Sequence, residues 1–145
     1  MLSPTTGQAV RALAFLATCL DGAVPVADVA RHTGLPTPTM AKVIHRLARR
    51  RLVATRRGPG GGVKLARPAR EISLHDVCIA FGDPLTAERC MLSDAPCSSE
   101  RACPGHAFCR NFRSTQVLFL QQTTLEDVVC SASPGPIITG DRAAA

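Results

Sequence analysis

Residues 25–66 have the sequence PVADVARHTGLPTPTMAKVIHRLARRRLVATRRGPGGGVKLA, which carries the strongest local signals of fold class in the chain. Its first part predicts a short helix over Pro25–His32, a tight turn at Thr33–Leu35 and a second helix that begins near Thr37. Gly34 supplies the positive φ that such a turn requires. Apolar residues at helical spacing mark the buried face of the second helix: Met40, Val43, Ile44 and Leu47. This order is typical of a helix-turn-helix unit.

The second part of the stretch predicts two short strands, Leu52–Thr55 and Val63–Ala66, joined by the glycine-rich loop 56–62. A hairpin that follows a helix-turn-helix unit forms the wing of a winged helix-turn-helix. A phosphate-binding loop is one alternative for these glycines, but no Gly-Lys-Ser or Gly-Lys-Thr follows them and no helix begins there. A plain structural hairpin is the other alternative. We therefore predict a mainly α fold with a small β wing.

The rest of the chain is also predicted to be largely helical. Ser3-Pro4 begins a first helix, which Asp21-Gly22 ends. Ser73 begins another helix, and a long helix is expected over about 105–122. The predicted organisation is a winged helix-turn-helix DNA-binding domain (1–70), a linking helix with a cysteine-rich cluster-binding loop (71–104), a long C-terminal dimerisation helix with a short terminal helix (105–131), and a flexible tail (132–145).

The charge of the chain is divided unevenly along its length. The net charge is +6, but residues 1–70 hold 12 Lys or Arg against two acids, and residues 71–145 hold five Arg against nine acids. A basic half built around a helix-turn-helix indicates a polyanion as partner. No apolar run is long enough to span a bilayer, and the first residues lack the features of a signal peptide. We expect a cytoplasmic protein with no membrane partner.

The side chains expected to contact double-stranded DNA lie on the second helix of the unit and on the wing. The first turns of a recognition helix reach base edges in the major groove, and here they carry hydroxyls and a Lys. An Arg at the base of a glycine-rich wing can reach into a minor groove. The predicted DNA-binding residues are Thr37, Thr39, Lys42, Arg46, Arg56 and Arg57.

Four of the seven cysteines lie close together in the sequence, in the pattern Cys90-x6-Cys97-x5-Cys103-x2-His106-x2-Cys109. In a reducing compartment such a group is more often a metal or redox site than a disulfide framework. Three thiolates on one loop can close around iron, and His replaces a thiolate in some clusters. Zinc held by three Cys and a His is an alternative, although no Cys-x2-Cys pair is present. A disulfide that forms on oxidation is another alternative.

Four segments of the chain carry a resemblance to a known family: Ala9–Leu13, Arg46-Leu47, Leu52-Val53 and the wing Arg57–Gly62. Together with the cysteine loop, they resemble the Rrf2-type winged-helix transcription regulators, which include iron–sulfur cluster regulators and nitric-oxide-sensitive repressors. The resemblance covers about residues 4–130. It implies a homodimeric repressor or dual regulator whose long C-terminal helix packs against its twin.

The resemblance also implies a set of cluster ligands. In the iron–sulfur cluster regulators, three cysteines and a His three positions after the last of them hold the cluster. In the nitric-oxide repressors the fourth ligand is an Asp of the partner's first helix, a position that Gly7 occupies here. Met40–Ile44 is more similar to the nitric-oxide repressors, so the sequence does not decide between the two subfamilies. The implied ligands are Cys90, Cys97, Cys103 and His106, with Cys109 as the alternative fourth ligand, and this set favours a 2Fe–2S cluster over 4Fe–4S.

The sequence thus predicts a homodimeric transcription regulator, expected to be a repressor, that senses redox stress, nitric oxide or iron through an iron–sulfur cluster. Its expected partners are operator DNA and a second copy of the chain, with no small-molecule substrate. A cluster-free or zinc-containing repressor whose thiols respond directly to oxidants is the alternative. An enzyme is not expected, because the chain has no redox Cys-x2-Cys pair, no Ser/His/Asp constellation and no cofactor loop.

Overall fold

A computed structural model describes residues 1–19, 22–88, 90, 92–93, 95–100 and 103–131 of the chain. In this part the fold is mainly helical, with one two-stranded antiparallel sheet. The predicted mainly α fold with a β wing is confirmed. The elements are α1 (Pro4–Thr18), α2 (Val26–Thr33), α3 (Thr37–Arg49), β1 (Val53–Arg56), β2 (Gly62–Leu65), α4 (Leu74–Phe81), α5 (His106–Gln122) and α6 (Leu125–Ser131), with short 3-10 turns at Ala69–Glu71 and Pro84–Thr86.

The helix-turn-helix unit consists of α2, a tight turn and α3. Gly34 caps α2 in the left-handed conformation, with φ of 71°, which a residue with a Cβ adopts only at a cost. The four apolar residues predicted for the inner face of α3 are all buried: Met40, Val43, Ile44 and Leu47. This packing leaves the polar sides of α3 exposed to solvent.

The wing pairs β1 with β2 in antiparallel register, from Val53 opposite Leu65 to Arg56 opposite Gly62. Both strands lie one residue away from their predicted positions. Leu52 is excluded from β1 because its N–H donates to the carbonyl of Leu47 and so completes the end of α3. Val24 also pairs with Val63 through two 2.8 Å hydrogen bonds, which ties the wing to the segment between α1 and α2.

Helix α1 begins as predicted and ends earlier than predicted. The Ser3 side chain accepts a hydrogen bond from the Thr6 N–H, and Pro4 occupies the first turn. The helix ends at Thr18 instead of at Asp21-Gly22, and Asp21 lies outside the described residues. Its buried residues are Thr6, Ala9, Val10, Ala12, Leu13 and Leu16.

The C-terminal part of the chain returns to the start of α4. Ser73 precedes α4 as predicted, and the side chains of Ser73 and Asp76 cap the start of this helix reciprocally. The N–H of Leu125 donates to the carbonyl of Ile72, and the N–H of Leu74 donates to that of Thr123, both at 2.9 Å. The fully buried side chains of Ile72 and Leu125 therefore join α6 to the same core as the helix-turn-helix unit.

Helix α5 is the predicted long helix after the cysteine-rich segment. It spans His106–Gln122, and the segment before it contains only the 3-10 turn Pro84–Thr86 as regular structure among the described residues. Within the described ranges, no helix is both long enough and apolar enough to cross a membrane. The predicted flexible tail, 132–145, lies outside the described residues.

Candidate nucleic-acid interface and metal centre

The first turns of α3 carry the predicted base-contacting side chains. Thr37, Thr39 and Lys42 are all exposed, since the buried face of α3 points in other directions. Two hydroxyls and one ammonium group can donate hydrogen bonds to base edges and phosphates. The structure therefore gives these three side chains the accessibility that a recognition helix needs.

Arg46 lies further along α3 and contacts another helix. Its guanidinium carbon is 4.7 Å from the centre of the Phe81 ring of α4, which is a cation–π contact. Arg46 is itself exposed, so its charged edge still faces solvent. The sequence predicted Arg46 as a DNA contact but did not indicate this second contact.

The wing tip is a tight turn that depends on several glycines. Gly58 and Gly60 have φ values of 90° and 69°. A Cβ on Gly61 would lie 2.4 Å from the carbonyl oxygen of Arg56, which leaves no room for a side chain. Arg56 and Arg57 enter this turn with exposed side chains. The wing thus presents two cations on a narrow loop that can approach a nucleic acid backbone closely.

Three of the predicted metal ligands line one pocket. Cys90, Cys97 and Cys103 share a pocket of about 200 Å³ with Leu92, Ser93, Ser98 and Pro104. Backbone hydrogen bonds hold the two sides of the loop together, from Cys90 N–H to the Ala95 carbonyl (3.3 Å) and from Cys97 N–H to the Glu88 carbonyl (3.4 Å). The three half-buried cysteines therefore share one cavity.

The fourth predicted ligand lies at the edge of this group. His106 is the first residue of α5, and its Nδ1 is 3.3 Å from Sγ of Cys97. Its backbone N–H donates to the carbonyl of Cys103 at 3.1 Å, which places the start of α5 against the loop. Cys109, the alternative ligand, is half-buried one turn later and is not among the residues that line the pocket.

The donor set consists of three thiols and one imidazole, which are ligand types of both iron–sulfur clusters and zinc sites. Three sulfur atoms and one imidazole nitrogen are donors that iron–sulfur clusters accept. Among the described residues, no three His, Cys, Asp or Glu side chains are placed to hold one metal ion. Cys90, Cys97 and Cys103 instead line a common cavity.

The other cysteines have different surroundings. The sequence places Cys19 and Cys78 on apolar helix faces, which predicts small core residues. Cys78 is fully buried, and burial together with the charge of Asp83 raises the pKa of its thiol to about 11. The prediction is wrong for Cys19, because α1 ends before it, and its half-buried thiol donates to the Phe15 carbonyl at the helix end. Cys130 is exposed on α6.

Sequence reasoning missed one buried acid beside the cysteine loop. The Asp83 carboxylate is 1% exposed and accepts hydrogen bonds from the N–H groups of Ser3 and Leu85. Burial alone would raise the pKa of Asp83, but these bonds and one from the Thr6 hydroxyl outweigh it and lower the pKa below 3.8. The Asp83-Pro84 pair after Gly82 was a signal for a capped turn, although it did not indicate burial.

Helix α5 has a solvent-exposed aromatic face, which is unusual for a monomeric protein. The exposed fractions of Phe108, Phe112 and Phe119 are 66%, 58% and 59%, and Leu118 is also half-exposed. The rings of Phe108 and Phe112 stack with centres 6.1 Å apart. Exposed apolar patches of this kind mark interaction surfaces.

Comparisons with known proteins agree with this geometry. A family model described as Rrf2, an iron-dependent transcriptional regulator, matches residues 2–131. An HTH-type transcriptional regulator of Aquifex aeolicus is 34% identical over 131 residues, which cover 89% of this chain and 91% of that protein. The regulator IscR of Photorhabdus laumondii is 32% identical over 109 residues, covering 75% and 66%. The structure of CymR, the global cysteine regulator of B. subtilis, has a TM-score of 0.75 at 20% identity and covers 90% of this chain and 97% of CymR.

Proposed function

The chain belongs to the Rrf2 family of winged-helix, DNA-binding transcription regulators, and on this premise we propose that it is a homodimeric repressor controlled by an iron–sulfur cluster. Family membership also confirms that the chain is not an enzyme. In the proposal, residues 1–70 bind operator DNA, residues 71–104 carry the cluster loop, and residues 105–131 form the dimer interface. The proposed ligands are Cys90, Cys97, Cys103 and His106.

The observation that carries the cluster proposal is the common pocket of the cysteine loop. Cys90, Cys97 and Cys103 line it together, and His106 Nδ1 is 3.3 Å from the Cys97 sulfur. Sulfur and imidazole donors brought together by one loop are the ligand types of a 2Fe–2S cluster. The IscR relative and the iron-dependent family description support the same proposal for this chain.

The position of the loop suggests how the cluster state could reach the DNA. An iron–sulfur cluster bound here would supply a centre that reacts to oxidants, nitric oxide and iron supply. The loop connects α4, which packs against α3, to α5, which carries the exposed aromatic face. A rearranged loop would move α5 relative to α4 and so change the spacing of the two recognition helices in a dimer. This is a two-state coupling, in which the ligand favours one arrangement.

Anaerobic purification tests the cluster proposal directly. The wild-type chain should be coloured and contain iron and acid-labile sulfide, whereas Cys97→Ala should lose all three. Cys130→Ala is the matched control, because Cys130 is exposed on α6 and lies outside the pocket. Colourless wild-type protein with stoichiometric zinc would overturn the cluster and support a zinc-containing repressor.

A direct thiol switch is the second candidate, and the shared pocket favours it as well. Two of the pocket thiols could be oxidised by hydrogen peroxide, giving one disulfide and two water molecules. In this case the metal-free protein would change its DNA affinity on oxidation and recover with a dithiol reductant. Metal-free wild-type protein that keeps the same DNA affinity after peroxide treatment would exclude this candidate.

A further inference from the structure

A cleft at the C-terminal end of the recognition helix is lined by three arginines. Arg46, Arg49 and Arg50 surround an open space of about 400 Å³, and Ala80 of α4 closes its other side. The short side chain of Ala80 leaves the space free. Two ion pairs occur within the described residues, Arg31–Asp28 and Arg67–Asp76, and neither involves these arginines.

The arrangement of the arginines follows from helix geometry. Positions 46, 49 and 50 are three and four residues apart, so they lie on one side of α3. Lys42 precedes Arg46 by one turn and is also exposed, which extends the cationic side towards the turns that are proposed to enter the DNA groove. Like charges this close repel each other, and an anion between them would relieve the repulsion.

The contact with Phe81 orients one member of the group. The mostly buried Phe81 ring holds the Arg46 guanidinium at 4.7 Å from its centre. A guanidinium stacked on a ring keeps its N–H groups free at the edge, where they can bind a planar or tetrahedral oxyanion with two parallel hydrogen bonds. An alternative explanation is that these cations only stabilise the negative C-terminal end of α3. That effect would require neither a cleft nor a stacking partner.

We propose that Arg46, Arg49 and Arg50 form a phosphate-binding site. Its ligand is a phosphate group, either of the DNA strand that borders the groove or of a free polyphosphate anion. The inference rests on the DNA binding of the family and not on the cluster. Within the predicted DNA-binding residues, it assigns a phosphate contact to Arg46.

The test uses full-length protein and two probes, a duplex of scrambled sequence and inorganic pyrophosphate. The variant is Arg49→Ala/Arg50→Ala, and Arg70→Ala is the control, since Arg70 is exposed on the 3-10 turn and does not line the cleft. If the site binds a DNA phosphate, the slope of log K against log salt should fall by about 0.9 for each phosphate that the variant no longer neutralises. Pyrophosphate affinity should weaken by about tenfold or more in the variant. Arg70→Ala should keep the wild-type pyrophosphate affinity.

The outcomes separate the two sources of phosphate. A reduced salt slope assigns the site to the DNA backbone. An unchanged slope with abolished pyrophosphate binding assigns it to a free anion. If Arg49→Ala/Arg50→Ala keeps both wild-type values, the arginines only stabilise the end of α3 and the proposal is overturned. Because neither measurement needs the cluster, a failed cluster assay would leave this result interpretable.

Discussion

The backbone N–H of Ser3 donates a 2.9 Å hydrogen bond to Oδ2 of Asp83 across 80 residues of sequence. This bond joins the first turn of α1 to the point where α4 ends and the cysteine loop begins. The other carboxylate oxygen accepts the N–H of Leu85, which caps the following 3-10 turn. Asp83 therefore fixes one end of the loop to the start of α1.

Asp83→Asn should lower the free energy of unfolding at neutral pH by about 1–3 kcal/mol, because a buried charged acceptor of two N–H groups is removed. The pKa of Asp83 lies below its ordinary value of 3.8, so this contribution is present above that pH and disappears as the pH falls through the folded-state pKa. Urea unfolding at neutral and acid pH measures it. A difference between the two proteins that stays constant down to strongly acid pH would contradict the role of the charge.

Gly62→Ala should disrupt the wing. A Cβ there would lie 2.3 Å from the carbonyl oxygen of Val24. The pairing of Val24 with Val63 would therefore have to break. Gly60→Ala is the control, since it also has positive φ but has open space around it, and its cost should be about 1–2 kcal/mol of backbone strain. Thermal unfolding and DNA titration should both show the larger loss for Gly62→Ala. Equal losses would mean that the contact with Val24 is unimportant.

Lys42→Ala and Arg57→Ala should each weaken DNA binding without dissociating the dimer. Both side chains are exposed, one on the first turns of α3 and one on the wing. Where the removed side chain binds a phosphate, affinity should fall for all sequences and the salt slope should decrease by about 1. Gel-shift titrations at several salt concentrations test this. Wild-type affinity in both variants would exclude the proposed docking.

His106→Ala should weaken cluster binding, whereas Cys109→Ser should leave it nearly unchanged. His106 lies 3.3 Å from the Cys97 sulfur, and Cys109 does not line the pocket. His106→Cys should retain the cluster and lower its reduction potential, because a further anionic sulfur replaces a neutral nitrogen. Iron content and paramagnetic spectra of anaerobic protein distinguish these cases. Cluster loss in Cys109→Ser with normal spectra in His106→Ala would assign four cysteine ligands.

Phe112→Ser/Phe119→Ser should convert the proposed dimer to monomers in sedimentation experiments. Both rings are more than half exposed and lie seven residues apart on one side of α5. Truncating the chain before α5 would be a poorer test, because Leu120 of α5 and Leu125 of α6 belong to the core. Ile79→Ser on α4 is the control for removal of an exposed apolar group. A dimer that survives the double change would place the interface elsewhere.

Local patterns in the sequence predict the helices better than they predict the contacts between distant segments. The turn at Gly34 and the buried face of α3 follow from helical spacing and one glycine, and the structure has both. The pairing of Val24 with Val63 and the burial of Asp83 depend on partners far along the chain. No local pattern marks such residues, because the contacts of an isolated Val or of an Asp before Pro are set by segments elsewhere in the chain.

At the candidate metal site, too, the sequence predicts local features but not the contacts between residues. The spacing of the cysteines indicates a shared ligand, but the non-periodic loop does not reveal which of them face one pocket. The end of α1 at Thr18, which leaves Cys19 outside the core, also escaped prediction, because the apolar pattern continues beyond the helix.

The pairing of Ser73 with Thr124 closes a loop of roughly 50 residues that includes every proposed ligand. The conformational entropy of bringing its two ends together is lost when the chain folds, whether or not the pocket is filled. The thiols and the imidazole would consequently stay close together, at a high effective concentration, after the proposed cluster is lost. In the proposed function, recapture of a lost cluster would then require only local ordering of the loop, and the emptied protein would be reloaded without first unfolding.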